Sequence, residues 1–182
     1  MREESARRIQ ILDAVIGRAP YAAWYVRRVA DLVAEFLSVA AQLTGAHVEF
    51  ALCGGMALAV HGHVRATRDI DLLVPRAQLD DALKALREVG FDLPAHPMTF
   101  GAGTAIERHV QRVSKSVDRE LVTIDLILVE PSFGEVWAQR QVFEREGVAM
   151  PVVSRLGLVT MKRAAGRPQD LADIQALEDG DG

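Results

Sequence analysis

The 182-residue sequence is short of the residues that most often announce a function. It has one cysteine, Cys53, which excludes an internal disulfide and any multi-cysteine zinc site. Placed in the apolar run VEFALC, that thiol reads as a small buried hydrophobe. The five histidines show no repeating His/His/carboxylate spacing, so an imidazole-based metal site is not expected. No apolar run approaches the roughly 20 residues that cross a bilayer. The charged opening MREESARRIQ lacks the character of a signal peptide, so no membrane partner is expected and the expected location is cytoplasmic. Basic excess is missing as well. Against 21 Lys and Arg stand 25 Asp and Glu, a formal charge of -4 that argues against nonspecific coating of DNA or other nucleic acid. A local patch built from Arg65, Arg68, Arg76, Arg108 and Arg112 stays open. Trp24 and Trp137 lie far apart, and neither is assigned to base stacking.

What is present is an ordinary globular balance, 49% hydrophobic and 25% charged, enough for one domain with a sizeable core. Residues 1–45 read as a helical extension. Val29, Val33, Phe36, Ala40 and Leu43 recur at helical spacing, Pro20 separates a shorter helix before them, and Gly45 ends the run. The remainder, 46–182, mixes strands and helices: VEFALC (48–53) as strand, MALAVHG (56–62) as helix, DIDLLV (69–74) as strand, and QLDDALKALREVG (78–90) as an amphipathic helix stopped by Gly90. IERHVQRVS (106–114) and ELVTIDLILVE (120–130) read as strands, with GAGTAI (101–106) as a loop. SRLGLVTMKRAAGR (154–167) reads as a helix capped by Ser154, and Pro168 opens a last helix carrying Leu171, Ile174 and Leu177. The order implies an α/β (α+β) domain with a mixed sheet.

Two of these strands carry acids where a core strand should be apolar. Asp69 and Asp71 lie two apart in DIDLLV, so both point to the same face, and Asp125 interrupts LVTIDLILV. An uncompensated buried carboxylate costs several kcal/mol. Three of them on strands that can lie side by side make a site for a hard cation. The alternative is an ion-pair cluster with Arg65, Arg68 or Arg76. Upstream, Gly54 and Gly55 stand between a strand and a short helix, where glycine lets a phosphate approach the backbone, or merely serves the turn. No Gly-Lys-Ser/Thr follows, so this is not a Walker loop.

Gly54-Gly55, thirteen residues, then Asp69-Ile70-Asp71, with a further acid on a later strand, resembles the signature of the DNA polymerase β-like nucleotidyltransferase superfamily. The string GGMALAVHGHVRATRDIDLLV is more similar still to its AbiEii-like branch of small bacterial enzymes, through His61-Gly62 and Arg65-Ala66-Thr67. Lys162, Arg167, Asp170 and Asp173 in KRAAGRPQDLADI resemble that branch's tail motif. The N-terminal helices and residues 91–119 match nothing recognisable. The resemblance implies a mixed-sheet nucleotidyltransferase fold with helices packed on it. It also implies transfer of a nucleoside monophosphate from an NTP to an acceptor hydroxyl, with release of pyrophosphate.

The resemblance further implies two Mg2+ ions, with Mn2+ as a substitute, held by Asp69, Asp71 and Asp125, the last also acting as general base. Gly54 and Gly55 would hold the triphosphate. Lys162, set on the polar side of its helix, would contact it. Thr67 would bond a phosphate or cap its own turn, and Arg65 would clamp phosphate or pair with Asp69. Arg167, Asp170 and Asp173 would join the last two helices through ion pairs, and His61 would be a structural turn residue. The acceptor is left open among RNA (a tRNA end, as in toxin–antitoxin systems), a small molecule such as an antibiotic, and a protein side chain. The rival is a nucleotide-binding regulator that keeps the pocket without turnover. The enzymatic reading requires the three acids to converge with no neutralising arginine among them.

Overall fold

The computed structural model describes residues 22–118, 120–129, 131–145 and 147–179, with the side chains of 22–31, 131 and 145 outside the description. The expected break at Pro20, and the packing of Trp24 and Val29, lie outside the described residues. Helix α1 runs Ala22–Gly45. After it come β1 (Ala51–Cys53), α2 (Gly54–Val60) and β2 (Asp69–Pro75). A 3-10 turn leads into α3 (Leu79–Arg87), followed by β3 (Leu93–Pro94), β4 (Met98–Phe100), β5 (Arg108–Val117) and β6 (Glu120–Val129). The chain closes with α4 (Gly134–Ala138), β7 (Gln141–Arg145), β8 (Val148–Val152), α5 (Arg155–Ala165) and α6 (Pro168–Asp179).

The strands form one mixed sheet in the order β3-β5-β6-β2-β1-β8-β7, with β4 beside β5. β2 and β6 are parallel, as are β1 and β8, and the other neighbours are antiparallel. One face carries Ile70, Leu72 and Val74 of β2 beside Ile124, Leu126 and Leu128 of β6, all buried. Helices α1 and α3 cover that face. Lys115 on β5 marks the contact, reaching Glu35 of α1 at 2.6 Å and the Val89 carbonyl just past α3 at 3.4 Å. Of the expected α1 stripe, Phe36, Ala40 and Leu43 are buried as read. Burying side chains of this size is worth about 1.5–3 kcal/mol each, so this face holds the sheet together.

The opposite face carries the acids, and α2 and α5 lie over it. Arg108 of β5 donates to the Ala164 carbonyl of α5 at 3.1 Å. Helix α5 begins at the Ser154 cap, whose Oγ accepts from the Gly157 N–H at 3.2 Å, and ends at Gly166 with φ +66.

Several expectations need correction. The helix after β1 starts at Gly54, so the glycine pair forms its first turn instead of preceding it. Leu171 is 63% exposed, while Ile174 and Leu177 alone carry the apolar side of α6. Lys162 is buried, at 5% exposure, since it follows buried Leu158 by four residues and shares its face. The strands β3, β4, β7 and β8 and the helix α4 are additions. All are five residues or shorter, and β8 contains Pro151, which blunts any strand signal.

Candidate active site

Strand register builds the site. Cys53 of β1 lies opposite Asp71 of β2, Asp71 is level with Asp125 of β6, and Asp125 lies opposite Arg112 of β5. Adjacent strands in register point matching side chains to the same side. A single row across four strands therefore reads Cys53, Asp71, Asp125, Arg112, with Asp69 two positions from Asp71 on the same face. The expected convergence of acids from separate stretches is present at this end of the sheet.

The glycine pair sits directly on that row. Gly54 has φ +63, and a Cβ there would lie 1.9 Å from Asp71 Oδ2. A Cβ on Gly55 would lie 2.8 Å from Thr67 Oγ1 and 3.3 Å from Arg65 Nη1. Both glycines thus lack side chains because β2 and the residues leading into it occupy the space. The interval between the two motifs in this chain matches these contacts: Gly54 meets Asp71, and Gly55 meets Thr67.

The electrostatics show unmet demand for positive charge. The Asp71 carboxyl is pushed up to about 7, by burial first and then by Asp125 and Asp69, against the pull of Arg167 and Lys162. Asp69 is raised as well, by burial and by Asp125, with Arg112 and Arg68 opposing. Cys53 is raised well above its usual range by burial first and Asp71 second, which keeps it a thiol.

Asp125 is held differently. Arg112 donates Nε to its Oδ1 at 2.7 Å and Nη2 to its Oδ2 at 2.8 Å, a two-pronged pair that engages both carboxylate oxygens. Hydrogen bonding to Asp125 raises Arg112 further above its already high range. Among the described residues, no group of three or more His, Cys, Asp or Glu side chains is arranged to hold a metal ion. The expectation that no arginine stands among the acids is corrected: Arg112 engages Asp125, one of the three. Sequence reading placed Arg112 only in a diffuse arginine patch. The signal that would have located it is the tight hairpin between Val117 and Glu120, where Asp118 has φ +48. Counting back from that turn puts Arg112 opposite Asp125.

The tail motif packs against the same face. Lys162 Nζ lies 2.5 Å from Asp173 Oδ2 and 3.7 Å from Asp170 Oδ1. Arg65 does not pair with Asp69. Its Nε and Nη2 reach Asp173 at 2.8 and 2.9 Å, and its Nη1 donates to the Ala66 carbonyl at 2.8 Å. Arg167 donates to Asp170 at 2.7 Å, and these pairs join α5, α6 and the lead-in to β2. The cationic partners hold Asp170 and Asp173 below the usual carboxylate range despite burial, which acts the other way. Thr67 Oγ1 donates to the Asp69 carbonyl at 3.3 Å, capping its own turn. His61 is buried, with Nε2 2.8 Å from the Val153 carbonyl.

Comparison with known proteins agrees with this architecture. The fold is similar to that of TM1012 from Thermotoga maritima, assigned as a nucleotidyltransferase, with a TM-score of 0.55 at 14% identity, covering 83% of this chain and 94% of that one. It is also similar to ANT(2'')-Ia in complex with adenylyl-2''-tobramycin, with a TM-score of 0.51 at 14% identity, covering 82% and 89%. The solution structure of the antibiotic-resistance factor ANT(2'')-Ia gives 0.52 at 13% identity, covering 85% and 86%. No curated protein sequence matches significantly. No helix among the described residues is long and apolar enough to cross a membrane. The family model described as nucleotidyl transferase AbiEii toxin, type IV toxin–antitoxin system, matches residues 35–182. With most of its length matched by that model, the chain belongs to the AbiEii family of nucleotidyltransferases.

Proposed function

We propose that this nucleotidyltransferase moves a nucleoside monophosphate from an NTP to an acceptor hydroxyl, releasing pyrophosphate, at the row of acids beneath the Gly54–Gly55 turn. The observation that carries the reading is the level placement of Asp71 and Asp125 on parallel neighbouring strands, with Gly54 closed down on Asp71.

The donor set suits a divalent cation. Asp69 and Asp71 offer hard oxygen ligands and take up protons readily because nothing nearby neutralises them fully. Asp125 completes the set once its pair with Arg112 opens. Mg2+ ions bound there would supply charge neutralisation for the transferred phosphoryl group and its leaving pyrophosphate. Asp125 accepts the proton of the acceptor hydroxyl, and the Gly54–Gly55 turn receives the triphosphate. Thr67, stacked under Gly55, sets the height of that turn. Lys162 and Arg167 contribute positive potential at Asp71 and, by extension, at the phosphates beside it. In-line positioning and fixed electrostatics supply most of the rate.

The acceptor belongs to RNA, a small molecule or a protein. The family description is that of a toxin in a toxin–antitoxin system, the setting in which the sequence resemblance implies an RNA acceptor. The likeness to ANT(2'')-Ia bound to adenylyl-2''-tobramycin supports a small molecule through fold alone. A second reading, nucleotide binding without turnover, draws on the closed Arg112–Asp125 pair. Incubation with each α-labelled NTP, Mg2+ and total RNA, aminoglycosides or the protein itself separates these. Label in one acceptor fraction establishes transfer and names the class. NTP binding without label in any fraction favours the second reading.

A further inference from the structure

Arg112 stands where a cation would be most useful to the acids, and its situation is one-sided. Its side chain is 40% exposed, while that of Asp125 is only 14% exposed. The guanidinium can leave into solvent, whereas the carboxylate is fixed in the sheet. Both of its bonds in the pair go to Asp125, on the residue directly opposite across the β5–β6 ladder.

We propose that Arg112 is a positioning residue that competes with the divalent cation for Asp125. Without nucleotide, its planar fork closes the third carboxylate, and only Asp69 and Asp71 remain open to a cation. An arriving triphosphate gives the guanidinium another anion of matching geometry. Arg112 then releases Asp125, and the carboxylate set becomes complete only with NTP present. Metal loading and NTP binding are thereby coupled, as two ligands acting on one two-position element must be. The inference rests on the metal reading given under Proposed function.

The test uses Mn2+ as the probe, titrated into the metal-stripped protein and followed by the EPR signal of the free ion. Nucleotide-free Arg112→Gln should bind Mn2+ about tenfold more tightly than wild type. The gain should disappear when Asp125→Asn is added, and wild type should close most of the gap when an NTP is supplied, after the Mn2+ held by the NTP in a protein-free control is subtracted. Arg112→Lys, which keeps the charge but loses the two-pronged pair, should fall between the two. It also provides the comparison if Arg112→Gln does not fold. Equal Mn2+ affinity in wild type and both Arg112 variants, with Asp71→Asn still weakening binding, overturns the role of Arg112 and leaves the metal site standing. Mn2+ binding by none of these proteins, with or without NTP, overturns the metal reading and the inference with it.

Discussion

Gly54 rests on Asp71 so closely that a Cβ on the glycine would fall 1.9 Å from the carboxylate Oδ2. The turn and the acid are one unit, and the glycine is needed for two reasons, its φ of +63 and the missing side chain. Gly54→Ala should lower transfer activity at least a hundredfold and destabilise the fold by more than the roughly 1 kcal/mol of a strained backbone alone. Gly62, at φ +96 with nothing within 4 Å of where a Cβ would stand, is the control. Gly62→Ala should cost about that 1 kcal/mol and leave turnover near wild type. Urea unfolding and a transfer assay on both variants check this.

The Asp71 carboxyl, raised to about 7 by burial and by its acidic neighbours, makes stability depend on pH with a definite sign. The unfolded chain releases this proton near the ordinary carboxylate value, and the metal-free native protein holds it until about 7. Its contribution is complete below about pH 4 and is lost as pH rises towards neutrality, at about 1.4 kcal/mol per unit of displacement. Asp170 and Asp173, held low, act in the other direction and lose their contribution under acid. In thermal scans without metal, Asp71→Asn should therefore raise Tm by several degrees at about pH 8 and leave it almost unchanged at about pH 4.

The Lys162–Asp173 pair is buried in a network that also includes Arg65, whereas the Arg163–Glu178 pair lies exposed at the surface. Lys162 and Asp173 side chains are 6% and 3% exposed at 2.5 Å separation, whereas Arg163 and Glu178 are 65% and 55% exposed at 2.9 Å. Removing one buried partner strands the other, so Asp173→Asn should cost about 3–5 kcal/mol. Glu178→Gln should cost less than about 1 kcal/mol. Chemical denaturation of the two variants gives the comparison.

Legibility in the sequence followed how local each signal was. β2 and β6 were readable because long apolar runs announce them, and Asp125 stood out as the one acid inside LVTIDLILV. The glycine and acid motifs were recognisable from their spacing, which matches direct contact between Gly54 and Asp71 and between Gly55 and Thr67. The partners of these residues were not legible. Arg65 reaches Asp173 across 108 positions, a contact set by how α6 docks, which no local pattern encodes. Lys162 read as lying on the polar side of its helix, in reach of a triphosphate, although its i, i+4 relation to Leu158 places it inside. Arg112 needed the β5–β6 register, which depends on the turn after Val117. The short strands at 93–100 and 141–152 have too few residues to show alternation.

Release of pyrophosphate from NTP and Mg2+, compared between wild type and the single variants Asp69→Asn, Asp71→Asn and Asp125→Asn, tests the acid row most directly. If the three carboxylates carry the chemistry, the acceptor-dependent rate falls by about a thousandfold or more in each variant while each stays folded by circular dichroism. Turnover in Asp71→Asn at or near the wild-type rate would contradict that assignment and place the reaction elsewhere on the protein.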